Sequence, residues 1–334
     1  MRDGFQKMNF DISLSDAQKE KTRELCAQLQ KDPDVAYLIQ HKGVPASLIQ
    51  QYPWRIHDWC QGIAACHNCK GLDHCRQRKT GYYDDLMYDG ILQKVVSPCR
   101  FMKEKLKQEE HLQYFLINDM PKQLRTVGFA SIAADGEDGA YVSVLAACME
   151  AFRGQTGVYL YGHMGTGKTY LAAAACNDAA RRKQKCAFVY WPDCVQRMVT
   201  GIDSGEYRIE LERLKFVPFL VIDDIGAEAV TQWNRDQILL PVLNARYEAH
   251  LPTWFTSNED IASLRAHFAI SSRGKEEAMK ANRIIERIQA MCSMKALEGK
   301  DRRQMVDGTV YDARIKGEIG GKTMVRSEEH TSEL

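Results

Sequence analysis

The sequence predicts an α/β protein in which a parallel sheet is flanked by helices, preceded by a small, mainly helical domain. From about residue 140 onward, short apolar runs alternate with helical patterns. This alternation is typical of a parallel sheet that helices cover on both faces. A glycine-rich G-x-x-x-x-G-K-T segment joins one apolar run to the next helix. Before residue 106 the chain instead carries amphipathic helical patterns and a group of cysteines.

We divide the 334-residue chain into four segments. The N-terminal domain is predicted over 1–105, a charged linker over 106–125, and the main domain over 126–325. The last residues, 326–334 (RSEEHTSEL), read like a translated sequencing adapter. We interpret them as a non-native tail and leave them out of the fold.

Composition limits the classes of protein that fit. Forty-five basic and 44 acidic residues give a formal charge of +1, so bulk charge indicates no partner. No signal peptide and no run of 18 apolar residues is visible, so we expect a soluble cytoplasmic protein without membrane contact. In that reducing compartment, clustered members of the 11 cysteines are more often metal ligands than disulfides.

The N-terminal elements begin at recognisable caps. A helix is predicted over 14–31, with Ser13 or Ser15 as its cap, and Asp32-Pro33-Asp34 ends it. A second helix begins at residues 35–39. In the main domain, apolar runs predict strands over 157–161, 186–191, 216–222 and 253–257. Amphipathic patterns predict helices over 140–153, 168–183, 193–200 and 234–249.

The glycine-rich segment predicts a phosphate-binding loop, because it lies between a strand and a helix. Its glycines allow backbone N–H groups to surround a polyphosphate, and the helix N-terminus favours the same anion. Lys168 is expected to contact the β- and γ-phosphates of ATP, and Thr169 to bind Mg²⁺. The predicted nucleotide-binding residues of this segment are Gly162, Gly165, Thr166, Gly167, Lys168, Thr169 and Tyr170.

Polar side chains follow two of the predicted strands. The run 216–222 ends in Asp223-Asp224. We assign Asp223 to Mg²⁺ and Asp224 to activation of the attacking water. Asn258 follows strand 253–257, where an amide would reach the γ-phosphate or the water. A strand that simply ends in polar turn residues is the alternative for both sites.

Arg283 and Arg287 lie four residues apart, so they share one face of a predicted helix while Ile284, Ile285 and Ile288 face the core. A guanidinium that enters a neighbouring subunit's site would stabilise the charge of phosphoryl transfer. An exposed Arg–Glu helix face explains the same spacing equally well.

Five cysteines fall within residues 60–99. Cys66, Cys69, Cys75 and Cys99 would form a closed, structural Zn²⁺ site that stabilises a small domain. His74, His67 and Cys60 are rival ligands, of which His74 is the strongest. Unliganded cysteines are the alternative.

A basic cluster, Arg181, Arg182, Lys183 and Lys185, precedes Tyr190 and Trp191. Cations that follow phosphates beside stacking aromatics would suit single-stranded DNA. The competing interpretation is that the cations stabilise a helix C-terminus and the aromatics fill the core.

Taken in order and spacing, YLYGHMGTGKTYLAAAACN, FLVIDDIGAE, TWFTSN and NRIIERI resemble the ATPase domain of bacterial replicative-helicase loaders of the DnaI and DnaC type, within the AAA+ superfamily. The resemblance covers about residues 120–303, and the cysteine-rich N-terminal region favours the DnaI branch. It implies that Asn258 is sensor 1, that Arg283 is the arginine finger with Arg287 as second choice, and that Arg302 and Arg303 form sensor 2.

The resemblance also implies a function. The N-terminal module would bind the replicative hexameric DNA helicase, while the ATPase domain binds Mg·ATP and single-stranded DNA and self-associates. Two residues depart from the usual pattern, since His163 replaces a common Pro and Asp224 replaces the Glu of many AAA+ motors. Because Asp is one methylene shorter, we expect slow, switch-like ATP hydrolysis.

Three other functions compete with this interpretation. A transposition-associated AAA+ ATPase would share the core but would not need the cysteine-rich module. A P-loop kinase would leave Asn258 and the Arg283/Arg287 helix unexplained. A DNA-binding zinc protein with a vestigial nucleotide fold would not bind ATP through Lys168.

Overall fold

The computed structural model describes residues 15–269, 275–299, 301–302, 305–306 and 309–310. The chain divides into two compact units, residues 1–108 and 109–334.

Three of the first four helices begin where a short polar side chain or a proline favours them. Ser15 forms a capping box with Gln18, and Asp32 accepts a hydrogen bond from the backbone N–H of Asp34. Gly43, in a left-handed conformation, ends the second helix. The helices are α1 (Asp16–Leu29), α2 (Pro33–Lys42), α3 (Leu48–Gln51) and α4 (Pro53–Ala64).

An antiparallel hairpin completes the first unit. Strands β1 (Tyr82–Tyr88) and β2 (Leu92–Pro98) pair along their whole length, and helix α5 (Arg100–Glu109) follows. Leu86 and Leu92 of the hairpin join the helical core around Leu38 and Ile56. The mainly helical domain expected from the sequence therefore also contains a two-stranded sheet.

The second unit is built on a six-stranded sheet in which every pairing is parallel. The strand order is β3-β5-β6-β7-β4-β8. The strands are β3 (Phe115–Asn118), β4 (Gly157–Tyr161), β5 (Cys186–Tyr190), β6 (Phe219–Asp223), β7 (Thr253–Ser257) and β8 (Cys292–Ala296).

Helices cover both faces of this sheet. Alternate residues of one strand enter different cores: Val158 and Leu160 pack on one side, and Tyr159 on the other. The helices are α6 (Gly139–Arg153), α7 (Lys168–Arg181), α8 (Trp191–Thr200), α9 (Tyr207–Phe216), α10 (Leu240–Glu248), α11 (Ile261–Phe268) and α12 (Lys275–Met291). Two short strands follow, β9 (Met305–Val306) and β10 (Thr309–Val310).

The predicted parallel α/β architecture is confirmed, with differences at its margins. Strand β3 lies within the segment that the sequence assigns to a linker. Strand β8 and helix α9 were not predicted, and the helix expected over 234–249 begins as a π-helical turn, Asn234–Leu239. Among the helices in the described part of the chain, none is both long and apolar enough to cross a membrane.

Candidate nucleotide-binding site

The glycine-rich loop connects β4 to α7 at the carboxyl edge of the sheet. Three of its glycines, Gly162, Gly165 and Gly167, have φ values of +139°, +79° and +101°. Residues with side chains rarely adopt these conformations. A Cβ at Gly162 would also collide with the backbone carbonyl of Leu297. The loop conformation therefore requires glycine, as phosphate-binding loops do.

Lys168 is the first residue of α7, and its side chain turns back over the loop. Its Nζ donates to the carbonyls of Gly162 (2.7 Å) and His163 (2.8 Å) and to Oδ1 of Asn258 (3.0 Å). Lys168 as a whole is buried, with 7% of its surface exposed. A cation is thus held beside the loop N–H groups and the positive end of a 14-residue helix, an arrangement that suits a polyphosphate.

The two aspartates at the end of β6 are joined to β7 through a buried threonine. Thr256 Oγ1 donates to Asp223 Oδ1 (2.6 Å) and accepts from the backbone N–H of Asp224 (2.9 Å). Thr169 Oγ1 also donates to Asp223 Oδ1, at 2.9 Å. The hydroxyl and the carboxylate predicted to bind Mg²⁺ are therefore in direct contact.

Asn258 connects Asp224 to Lys168. Its Nδ2 donates to Asp224 Oδ1 at 3.1 Å, while its Oδ1 accepts from Lys168. Since Lys168 and Thr169 are neighbours in the chain, these contacts close a circuit. We call it the polar ring, with members Lys168, Thr169, Asp223, Asp224, Thr256 and Asn258. Strand β7 lies between β4 and β6, and this strand order brings the ring together.

The chain returns to the loop after β8. The backbone N–H of Arg302 donates to the Gly165 carbonyl (2.7 Å), and its guanidinium donates to the Thr166 carbonyl (3.0 Å) and to Glu137 (2.8 Å). The guanidinium also lies 4.0 Å from the ring centre of Tyr141. Arg302 therefore contacts the loop within its own chain, whereas Arg303 lies outside the described residues.

Two further residues that the sequence assigns to nucleotide binding are Thr166 and Tyr170. Thr166 is buried, and its hydroxyl donates to the His163 carbonyl at 2.9 Å. Tyr170 is half-buried on the first turn of α7. Thr166 thus stabilises the loop itself.

The two helix arginines differ in their surroundings. Arg283 is exposed and has no hydrogen bond or ion pair with the described residues. Arg287 is half-buried, donates to Asn244 Oδ1 (2.9 Å) and stacks 4.6 Å from the ring centre of Tyr247. The isoleucines Ile284, Ile285 and Ile288 are fully buried, as the spacing predicts. Of the two arginines, only Arg283 is unengaged within the described part of its own subunit.

The predicted zinc site is not supported. Among the described residues, no three His, Cys, Asp or Glu side chains form a group that could hold a metal ion. The thiols have separate partners: Cys66 accepts from Gln77 (3.2 Å), Cys69 donates to the Gly71 carbonyl (3.4 Å), and Cys75 accepts from the Gly81 N–H (3.3 Å). The same holds for the rivals, because His67 pairs with Asp34, while His74 is exposed and Cys60 buried. Cys99 is half-buried.

The basic cluster at the end of α7 mostly serves the fold. Arg181 donates to the Thr126 carbonyl (2.6 Å), Arg182 stacks on Phe152 (4.3 Å), and Lys185 lies 5.3 Å from the ring centre of Tyr114. Trp191 is 1% exposed, so no base could stack on it. These contacts favour the structural interpretation of the cluster over DNA binding.

Some site residues were not predicted from the sequence. Thr256 is buried on β7, and Glu137 lies just before α6. Neither residue belongs to the glycine-rich loop or to the acidic pair. A threonine two residues before Asn258 was the one available signal for Thr256, because residues two apart along a strand lie on the same face of the sheet. Glu137 offered no signal, since it meets Arg302 only in the folded chain.

A parallel sheet with a glycine-rich phosphate loop, a buried lysine and an acidic pair on a nearby strand defines the chain as a P-loop ATP-binding protein. The chain belongs to the IstB-like ATP-binding protein family, whose sequence model matches residues 75–305. The resemblance to helicase loaders predicted from the motifs is confirmed by the relatives.

The replicative helicase loader DnaI of Bacillus subtilis is 30% identical over 294 residues, which cover 85% of this chain and 94% of that protein. The replicative helicase loader DnaC of Escherichia coli K12 is 29% identical over 119 residues, 35% of this chain and 48% of that protein. A crystal structure of DnaI, 30% identical, covers 56% of this chain and 98% of its own, with a TM-score of 0.50.

Proposed function

We propose that this protein is an ATP-dependent loader that delivers the replicative hexameric DNA helicase onto single-stranded DNA during replication initiation or restart. The polar ring carries the proposal, because it couples the phosphate-loop lysine to both aspartates in a chain that resembles DnaI over most of its length. A cytoplasmic location follows from this function.

Residues that fit Mg·ATP are already close together. Lys168 and the loop N–H groups would hold the phosphates, and Thr169 and Asp223 would hold Mg²⁺, since hydroxyl and carboxylate oxygens suit this hard cation. When bound, the metal neutralises charge on the phosphate oxygens. Gly162, Gly165, Thr166, Gly167 and Tyr170 would shape the binding loop.

Asp224 and Asn258 are the proposed hydrolytic pair. Asp224 would orient the attacking water as a proton acceptor, and Asn258 would hold both the carboxylate and the γ-phosphate side of the site. Its hydrogen bond to Asp224 supports this pairing. The shorter reach of Asp than of Glu supports slow hydrolysis that acts as a switch.

Arg283 is the proposed arginine finger. Its exposure, and the lack of partners within the described part of its own subunit, support a role in a neighbouring copy's site. Arg287 is the second choice because Asn244 and Tyr247 already engage it. ATP-dependent self-association would follow, with head-to-tail contacts between copies.

We further propose that residues 1–105 bind the helicase and that 126–325 form the ATPase domain. The segment 106–125, expected as a linker, joins them and contributes strand β3 to the sheet. Residues 326–334, outside the described part of the chain, are proposed as a non-native tail. The likeness to DnaI extends over 294 residues, a longer stretch than the residues 75–305 that the IstB-like family model matches. This greater extent disfavours a transposition-associated ATPase.

Complex formation with the helicase of the same organism tests the proposal. Gel filtration of the full chain with Mg·ATP should give a joint peak with the purified hexamer. Residues 1–105 alone should also co-elute with it, and Lys168→Ala should abolish ATP-dependent release. If the full chain forms no complex with the helicase at any nucleotide concentration, the loader function is wrong.

A further inference from the structure

The turn that follows β6 holds its backbone in an unusual conformation. Asp224 has a φ of +61° and Gly226 a φ of +94°. For a residue with a side chain, the left-handed region costs free energy and persists only where surrounding contacts enforce it. The direction of the Asp224 carboxylate depends on this backbone.

Strand β7 supplies some of the contacts that enforce the turn. Ile225 N–H donates to the Thr256 carbonyl (3.0 Å), and Ser257 Oγ donates to the Ile225 carbonyl (2.6 Å). A Cβ at Gly226 would lie 2.9 Å from Leu264 of α11, so the turn also packs tightly on that helix. These contacts fix the middle of the turn from one side.

Glu228 supplies a further contact from within the turn. Its Oε2 accepts the backbone N–H of Gly226 at 2.8 Å, and the side chain is only 6% exposed. Burial raises the pKa of Glu228, whereas the Gly226 N–H and the nearby His267 lower it. The carboxyl group is therefore committed to the backbone of the turn.

Two helices enclose this carboxyl group. Trp191 begins α8 and His267 lies in the last turn of α11, and both lie near enough to the Glu228 carboxyl group to lower its pKa, which burial nevertheless raises overall. The indole nitrogen of Trp191 and Nε2 of His267 are buried. Glu228 is therefore a buried carboxyl group that bonds to the turn near the start of α8 and the end of α11.

We propose that Glu228 is a positioning residue for ATP hydrolysis that acts through Asp224. By accepting the Gly226 N–H, it holds the turn that keeps Asp224 in its left-handed conformation and its carboxylate on Asn258. Glu228 bonds to backbone outside the polar ring, so nucleotide binding does not require it. This inference rests on the proposed ATPase activity.

Three substitutions separate the hydrogen bond from the charge. Glu228→Gln keeps an oxygen at the same reach, Glu228→Asp keeps the charge but is one methylene too short, and Glu228→Ala removes both. We expect kcat for Mg·ATP to fall about tenfold in the Asp and Ala variants and to stay within about threefold in the Gln variant, because misplacement of a reacting group lowers kcat.

The Kd for ATP, measured with a fluorescent analogue, should stay within about threefold of the wild-type value in all three variants, because these substitutions remove no contact to the bound nucleotide. Glu248→Ala, an exposed change on α10, is the control and should match wild type. A general structural defect would instead weaken Kd and kcat together. If Glu228→Ala does not fold, the contrast between the Gln and Asp variants still decides.

Equal kcat in all variants, or a Gln variant as slow as the Asp variant, overturns the positioning role while the proposed ATPase stands. A wild-type chain that binds helicase but never hydrolyses ATP, with or without single-stranded DNA, overturns the ATPase proposal, and the role of Glu228 falls with it.

Discussion

Replacement of Thr256 by Val should destabilise the second unit more than the small change in side-chain shape suggests. The two side chains have nearly the same shape, but Val has no hydroxyl. Thr256 is 1% exposed, and its hydroxyl makes two hydrogen bonds, to the carboxylate of Asp223 and from the N–H of Asp224. Neither partner gains access to water when the hydroxyl is removed.

The expected decrease in the free energy of unfolding follows from the loss of these two hydrogen bonds. A hydrogen bond to a charged group contributes about 1.5–3 kcal/mol, and a buried N–H left unsatisfied costs about 1–3 kcal/mol. Because Asp223 keeps its bond to Thr169, we expect the lower part of the combined range, about 3 kcal/mol. For a unit of this size that corresponds to a fall in Tm of about 6–12 °C.

Urea unfolding followed by tryptophan fluorescence measures the change, with Trp254 on the same strand as a reporter. Thr256→Ser retains the hydroxyl and should recover most of the lost stability. Thr200→Val, at an exposed position on α8, should change the free energy of unfolding by less than about 0.5 kcal/mol. If Thr256→Val unfolds within about 0.5 kcal/mol of wild type, the polar ring does not have the stabilising role assigned to it.

Three further predictions concern binding, pH and thiol access. Lys168→Ala should weaken ATP binding at least about tenfold by removing the charge-assisted phosphate contact, whereas exposed Lys122→Ala should not; equal affinities in a filter-binding assay would refute the assignment. Burial raises the pKa of the Cys148 thiol from 9.0 to about 12, so the folded chain holds this proton more tightly than the unfolded chain. The contribution of this thiol to stability is present below pH 9 and is lost as pH rises toward 12; Cys148→Ala should flatten that alkaline decline in urea titrations, and Thr200→Ala, an exposed change that removes no ionisable group, should not. In native protein a disulfide-exchange reagent should modify the half-buried thiols before the fully buried ones, and protection of the predicted zinc ligands that a chelator removes would contradict their separate thiol contacts; the half-buried thiols are Cys26, Cys66, Cys69, Cys75, Cys99 and Cys292.

Local signals explain why much of the fold could be predicted. The strand β4, the phosphate loop and α7 follow one another in the sequence, so periodicity and glycine spacing were sufficient. Ser15 and Asp32 cap helices through contacts two or three residues away. Elements of this kind depend on short-range physics that a single sequence displays.

Elements that depend on distant partners were missed. Strand β3 has four residues in a charged stretch and exists because it pairs with β5. Strand β8 alternates apolar and polar residues over only five positions, CSMKA, and is stabilised by pairing beside β4. The π-helical turn lies where Arg235, 2% exposed, bonds to Asp236 and the Phe268 carbonyl.

The same division applies to the site. Lys168, Thr169 and the aspartates carry a recognisable spacing, and the structure brings them together, although their catalytic roles remain predictions. Thr256 accepts from the Asp224 N–H and Glu228 accepts from the Gly226 N–H, and such contacts to the backbone leave little residue pattern. The cysteine spacing was compatible with a metal site, but spacing alone does not determine whether thiols converge.

The closed circuit of the polar ring has a consequence for how its members should be measured. Each member contacts two others, so the first substitution already relaxes the partners of the next, and effects of paired changes should fall short of the sum of single ones. Thermodynamic cycles across Lys168, Asn258 and Asp224 would quantify this coupling. In a chain that already carries a substitution at one ring residue, a substitution at a second ring residue should therefore cost less stability than it does in the wild-type chain.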